Sequence, residues 1–256
     1  RIYCGTGGET MNPSSLAKSQ ELLRSLRLKE SAEQLPVIVK EAEESECSYL
    51  TFLTHLLEYE KKRREEKQLE KRLKWAAFPF HKTLDEFDLK EQQSLSKKHM
   101  NQLKEMIWLE QMYNIIFLGP PGVGKTHLAV GLGLEALYQG YKVMFITMGE
   151  LIQTLKTEEI SRKSQTKLKR IRKADLVIID DLMFMAINQN EANLFFHLIN
   201  DLYNNASIIL TSNKAPKEWG ELLGDPAITT ALLDRILHRA EIIHLNGDSY
   251  RMKYRS

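Results

Sequence analysis

The stretch Gly119-Pro120-Pro121-Gly122-Val123-Gly124-Lys125-Thr126 fits the pattern G-x-x-x-x-G-K-[ST] at every position. Its glycines let the backbone curl until successive N–H groups point inward, which makes a cradle for a phosphate. The Lys125 ammonium can reach the β- and γ-phosphates of a nucleoside triphosphate, and the Thr126 hydroxyl can ligate Mg²⁺. His127 follows directly and is counted with the nucleotide-binding set. The pattern demands a strand before it and a helix after it, because the phosphates sit at a helix N-terminus. Both are present. Asn114–Leu118 is a short apolar run of the kind that forms a buried parallel strand. Leu128, Ala129, Val130, Leu132, Leu134, Ala136 and Leu137 then give a helical apolar mix that stops at Gly140.

The strand–helix rhythm continues from there. Residues 142–148, 175–180, 206–213 and 241–245 are short runs rich in β-branched residues, each separated from the next by a helical stretch. Five strands alternating with helices predict an α/β fold with a parallel sheet covered on both faces. Trp219 is expected in the core.

The first third is different. Residues 12–77 read as helices, with Leu16, Leu22, Leu23, Leu26 and Leu28 on one stripe. Pro36 is expected near the start of the second helix. A third helix is expected to open at Ser48 and run through Lys74, with Leu53, Leu56 and Leu57 on one face. Residues 78–98, with Pro79 and a mixed polar composition, read as a linker with short ordered pieces. The predicted organisation is therefore residues 1–10 as an upstream or expression-vector extension, with Met11 as the natural start. A helical N-terminal domain over 11–77 follows, then the linker, then a nucleotide-binding domain over 99–256.

The net charge of +2 excludes little, but its distribution matters. Residues 61–74 carry eight bases and three acids, and residues 162–173 carry seven bases and no acid. Neither tract has interleaved aromatics, so both fit phosphate contacts better than base stacking. Arg63, Arg64, Lys67 and Lys71 in the first, and Arg162, Lys163, Lys167, Lys169 and Arg170 in the second, are the candidate DNA contacts. Solvated helix faces are the bland alternative. Cys4 and Cys47 form no metal-type spacing, and His127, His197, His238 and His244 none either. A reducing, cytoplasmic setting is expected. No apolar run approaches the roughly 20 residues that span a bilayer, so no membrane role is expected.

Leu176-Val177-Ile178-Ile179-Asp180-Asp181 ends a strand in two carboxylates. Asp180 is the candidate for the Mg²⁺ side and Asp181 for the base that polarises the attacking water. Asn213 ends the next strand, where it could position that water or sense the γ-phosphate. Arg235 and Arg239 are four apart on one helix face, and either could stabilise transition-state charge in a neighbouring subunit.

These motifs resemble AAA+ ATPases of the initiator and helicase-loader group. The chain from about residue 12 is more closely similar to the IstB family of insertion-sequence helper proteins. The stretches that carry this are SYLTFLTHLLEYEKKRREEKQLEKRLKWAAFPFHKTLDEFD and SNKAPKEWGELLGDPAITTALLDRILHR. The resemblance implies ATP and Mg²⁺ as cofactors and a homo-oligomer, ring or spiral, assembled on duplex DNA with ATP. It further implies recruitment of a transposase. It maps Gly119–Thr126 onto nucleotide binding, Asp180 onto the magnesium acid, Asn213 onto the sensor, and Arg239, with Arg235 as rival, onto the arginine finger. It also implies that residues 162–173 fall on the DNA side of an assembled spiral.

Two departures stand out. Asp181 stands where most AAA+ ATPases have Glu and sets its carboxylate back by one methylene, so slow hydrolysis is expected. The short stretch after the fifth strand leaves no room for the usual helical lid, so lid-borne sensor arginines are expected to be missing unless Arg251 substitutes. A loader of the replicative helicase is the runner-up. Loaders of that kind often use a Cys/His cluster to grip the helicase, and here there is only Cys47. A small-molecule phosphotransferase would need an acceptor pocket and a lid, which the sequence does not reveal.

Overall fold

The computed structural model describes residues 13–92, 94–182, 187–219 and 226–250. Residues 1–10, Met11, the stretch 220–225 and Arg251 lie outside these. The chain divides into two compact units, residues 1–70 and 71–256.

The first unit is built from α1 (Pro13–Ser25), α2 (Lys29–Glu44) and the greater part of α3 (Tyr49–Ala76). Leu35, Ile38 and Leu56 form its buried centre, with Leu16, Leu23, Val39, Phe52 and Tyr59 packed around them. Pro36 lies in the middle of α2, not near its start. A proline there removes the hydrogen bond to the carbonyl four residues earlier. That carbonyl, on Ala32, accepts instead from Gln20 Nε2 of α1 at 2.8 Å. The side chain from a neighbouring helix thus satisfies the group that proline orphaned. A second tie holds α2 to α3. Glu60, only 3 % exposed, accepts from Ser31 N at 2.7 Å and from Arg64 Nε at 2.7 Å. Ser31 Oγ donates to Leu56 O at 2.8 Å.

The second unit contains the sheet. After α4 (Lys97–Lys104) and α5 (Ile107–Glu110) come β1 (Asn114–Leu118), α6 (Lys125–Tyr138), β2 (Val143–Thr147), α7 (Met148–Lys156) and α8 (Arg162–Ile171). Then follow β3 (Leu176–Leu182), α9 (Gln189–Leu202), β4 (Ser207–Ser212), α10 (Pro226–Leu237) and β5 (Ala240–His244). All four pairings are parallel, in the order β2-β3-β4-β1-β5. The chain leaves β1 toward one side of the sheet and returns past it to reach β5. That reversal makes the carboxyl end of β1 a topological switch point, where open α/β sheets bind ligands.

All five residues of β1 are buried, and α6 is buried around most of its circumference. This is why its sequence shows an apolar mix and not a single stripe. Trp219 is fully buried, as expected, with its indole N–H on Lys214 O at 3.0 Å. Strand ends match the sequence expectation within about two residues. The exception with consequences is β3, which continues through Asp181 and Leu182 with a register shift against β4. Residues 78–98 pack within the sheet-containing unit: Leu84, Phe87 and Leu95 are buried there, and Thr83 O is within 2.9 Å of His127 Nε2.

Candidate nucleotide-binding site

The carboxyl ends of β1, β4 and β3 converge on one corner, and the phosphate loop occupies it. Gly119 N donates to Ser212 O at 3.2 Å, which ties the loop to the end of β4. Gly122 and Gly124 have φ of 87° and 97°, a region where a side chain is strained. Space forbids one as well. A Cβ on Gly122 would fall 2.0 Å from Ser249 Oγ, and one on Gly124 would fall 2.7 Å from the Phe87 ring. The motif glycines therefore admit two neighbours, a C-terminal segment and the 84–88 turn, against the loop backbone.

Lys125 is the first residue of α6 and is 6 % exposed. Its ammonium donates to Gly119 O at 2.7 Å and Pro120 O at 2.8 Å, so it lies folded under the loop. Thr126 Oγ1 donates to Asp180 at 3.0 Å and 3.1 Å from its two carboxylate oxygens. Thr211 Oγ1, from the intervening strand β4, donates to Asp180 Oδ1 at 2.5 Å. Burial pushes the Asp180 carboxyl above its ordinary pKa, and the neighbouring Asp181 charge adds to this. The hydrogen bonds from Thr211 and Thr126 oppose both. A positive ion beside Asp180 would favour the carboxylate further.

Asp181 has a φ of 55°, uncommon for a residue other than glycine. The conformation belongs to the irregularity in β3, and Thr211 receives Asp181 N–H at 3.0 Å. A bulge re-aims side chains at a strand end. Here both Asp180 and Asp181 serve the same corner: Asp180 turns to Thr126, and Asp181 faces the adjoining cavity.

That cavity has a volume of about 720 Å³. Gly122, Gly124, Lys125, Thr126 and His127 form its floor, with Asp181 and Asn213 at one side. Pro121 of the loop, with Phe80, Lys82, Glu86, Phe87, Asp88 and Tyr250, forms the rest of its wall. The His127 and Phe87 rings meet edge to face, with centroids 5.3 Å apart. Pro120 and Val123 contribute through the backbone: Pro120 O accepts from Lys125, and Val123 O accepts from the buried Gln92 at 3.2 Å. Tyr250 N donates to Gly122 O at 3.0 Å, and its hydroxyl to Asp88 O at 3.2 Å.

The Thr126 hydroxyl and Asp180 carboxylate are hard oxygen donors 3 Å apart, and they fit Mg²⁺, which takes one or two protein oxygens and keeps water and phosphate for the rest. Among the described residues no cluster of three or more His, Cys, Asp or Glu could form an all-protein metal cage.

Arg235 and Arg239 lie at the opposite edge of the sheet. Arg239 O accepts from Asn114 N, at the start of β1, whereas the loop follows its end, about 13 Å away along the strand. Arg235 is engaged within its own unit: its guanidinium donates to Ala231 O at 3.0 Å and stands 4.9 Å from the Phe196 ring centroid. Arg239 is exposed, with no side-chain partner among the described residues.

The two basic tracts differ. On α3, Arg63 pairs with Glu66, Arg64 with Glu60, and Lys67 with Glu30. Lys71 is exposed and has no side-chain partner among the described residues. On α8, Lys167 pairs with Glu150 of α7. Arg162, Lys163, Lys169 and Arg170 are exposed and have none.

Sequence reasoning did not assign Thr211, Gln92, Phe87 or Tyr250. Thr211 had a signal, being a polar residue at a strand end next to Asn213. The others sit far from the loop in sequence, with no motif of their own.

The comparisons agree with this geometry. The profile of the family described as IstB-like ATP binding protein matches residues 21–256. An IS21-like insertion-sequence protein of Bacteroides fragilis, named for ATP binding, is 41 % identical over 92 % of this chain and 89 % of its own. Among solved structures, replication initiator DnaA bound to AMPPCP and single-stranded DNA matches with a TM-score of 0.52 and 26 % identity, over 67 % of this chain and 52 % of that one. DnaI matches with a TM-score of 0.55 and 20 % identity, over 65 % of this chain and 92 % of that one, a likeness of fold. The expected fold, an AAA+ core on a five-stranded parallel sheet, is the fold observed. No described helix is long and apolar enough to cross a membrane. The chain belongs to the family of IstB-like ATP-binding proteins.

Proposed function

We propose that this chain is an ATP-dependent regulator of insertion-sequence transposition that assembles on duplex DNA and recruits or stimulates a transposase. The observation that carries the ATPase part is the chain Thr126–Asp180–Thr211, which joins the phosphate-loop hydroxyl to the strand-end carboxylate. The transposition part is supported by relatives that take their names from insertion sequences.

In this reading the loop N–H groups and Lys125 hold the phosphates, with Lys125 exchanging its two loop carbonyls for phosphate oxygens. Thr126 and Asp180 hold Mg²⁺, which neutralises charge on the β- and γ-phosphates. Thr211 keeps the Asp180 carboxylate turned toward Thr126. Asp181 accepts the proton of the attacking water, and Asn213 positions that water. Asp181 has a shorter reach than Glu, which favours slow turnover. Arg239 of an adjacent copy stabilises the transferring phosphoryl group, which its place at the far edge of the sheet supports, and its lack of a partner favours it over Arg235. ATP then acts as an assembly switch. The exposed α8 bases contact DNA phosphates. A helicase-loader reading is supported by fold likeness alone.

The test is assembly size. The protein mixed with random-sequence duplex should form large particles with ATP and remain small with ADP. Capture of a hexameric helicase without DNA, and no growth on duplex, would replace this reading with the loader.

A further inference from the structure

The turn between α7 and α8 carries an unusual residue. Ile160 is 85 % exposed, more than any other large apolar residue of the sheet-containing unit among those described; Ile107, at 49 %, comes next. One exposed isoleucine on its own needs no explanation. Its setting does.

The turn is rigidly held. Thr157 Oγ1 and Ser164 Oγ are 2.7 Å apart across it. Arg172 closes onto Glu158 at 2.6 Å and onto Asp201 of α9 at 2.9 Å. Ser161 caps α8 by accepting from Ser164 N, and Leu168 and Ile171 anchor its inner face in the core. Ile160 is therefore presented on a braced tip.

Charge sorts itself around that tip. The bases that face α7 and α9, Lys167 and Arg172, are neutralised by acids. Arg162, Lys163, Lys169 and Arg170 are exposed, with no side-chain partner among the described residues. Arg162 and Lys169, and Lys163 and Arg170, are each seven residues apart, two turns along α8, so these four cations lie on one side of the helix. The acid at the tip, Glu159, is exposed beside Ile160 and would repel a phosphate. The helix face thus suits the DNA backbone, and the apolar tip suits the space between bases.

We propose that Ile160 is an apolar wedge that enters the minor groove of duplex DNA and partly unstacks a base step, while the α8 cations hold the flanking phosphates. Wedges of this kind kink the duplex. The inference rests on the DNA-binding reading above and adds to it a residue and a deformation. It makes the α7–α8 turn a device that reads how easily a step unstacks, with preference for flexible pyrimidine–purine steps.

The experiment uses the full chain with ATP and a duplex carrying 2-aminopurine at several pyrimidine–purine steps. Binding is followed by anisotropy across a salt series and unstacking by 2-aminopurine fluorescence. The wild-type protein should brighten the probe on binding. Ile160→Ala should bind about tenfold more weakly, keep the same salt slope and lose the brightening. Ile160→Leu should keep most of it. An Ile160→Ala protein that brightens the probe like wild type, or a wild-type protein that binds without brightening, would overturn the wedge and leave DNA binding standing. A wild-type protein that does not bind duplex at all would overturn the DNA reading and the wedge with it.

Discussion

The helices α3 and α8 look alike in sequence and differ in structure. Each carries a dense run of lysine and arginine. On α3 three of the eight bases turn to acids: Arg64 closes the buried Glu60, Lys67 reaches Glu30, and Arg63 pairs with Glu66, while Lys61, Lys62, Lys71 and Lys74 are exposed with no ion pair among the described residues. Of the seven bases of 162–173 the acids take Lys167 and Arg172, and the other five, Arg162, Lys163, Lys169, Arg170 and Lys173, are exposed with no ion pair among the described residues. Net charge along the chain does not separate these cases. What separates them is what the paired bases do: Arg64 closes a buried carboxylate that ties α3 to α2, whereas the outer bases of α8 have no carboxylate within reach among the described residues. On α3 Arg64 and Lys67 are part of what holds α3 to α2; on α8 most of the bases are left over after the fold is satisfied. A surplus of that kind suits a polyanion.

The largest expected effect comes from the leftover charge. Replacing Arg162, Lys163, Lys169 and Arg170 with Ala should weaken duplex binding by about two orders of magnitude or more at moderate salt, and flatten the log–log salt dependence by about 3 to 4. Equal loss at low and high salt would break the comparison. Next comes Glu60→Ala. It orphans the buried Ser31 N–H and should destabilise the helical unit by about 1–3 kcal/mol, read by chemical denaturation, while DNA affinity stays within about twofold.

The same residue gives a pH effect. Burial alone would raise the Glu60 pKa, but Ser31 N–H and Arg64 outweigh it and hold it below the ordinary 4.5. Its stabilisation is therefore complete above the unfolded value and is lost as pH falls below 4.5 through the folded value. Glu60→Gln should remove that part of the acid sensitivity. The smallest effect is expected from Arg63→Ala with Lys67→Ala. Both bases reach solvent, so the denaturation midpoint should barely move, and the salt slope should not change. A slope change of about 2 would return α3 to the DNA surface.

The sequence and structure part company for similar reasons elsewhere. Gly119–Thr126, the strands and Asp180 were legible because local pattern specifies them: a strand, a turn that needs glycine, a helix start. Asn213 was legible from the order of strands. What escaped depends on contacts between distant residues. Thr211 is 31 residues from the Asp180 it orients. Tyr250, which closes on Gly122, lies at the far end of the chain, and its hydroxyl bonds Asp88, 162 residues away. Pro36 was misplaced because the usual rule assumes no outside donor, and Gln20 is one. The left-handed turn at Asp181 follows from the irregular β3–β4 pairing, which no composition rule announces.

The central claim is that ATP at the phosphate loop is completed by Arg239 of another copy. Lys125→Ala has a defective loop and an intact arginine; Arg239→Ala has the reverse. Each alone, with duplex DNA, should hydrolyse ATP at least about 10²-fold more slowly than wild type. Mixed, they form boundaries with one good loop and one good arginine, so activity should reappear. A mixture as inactive as its parts, or an Arg239→Ala protein as fast as wild type, would contradict the account.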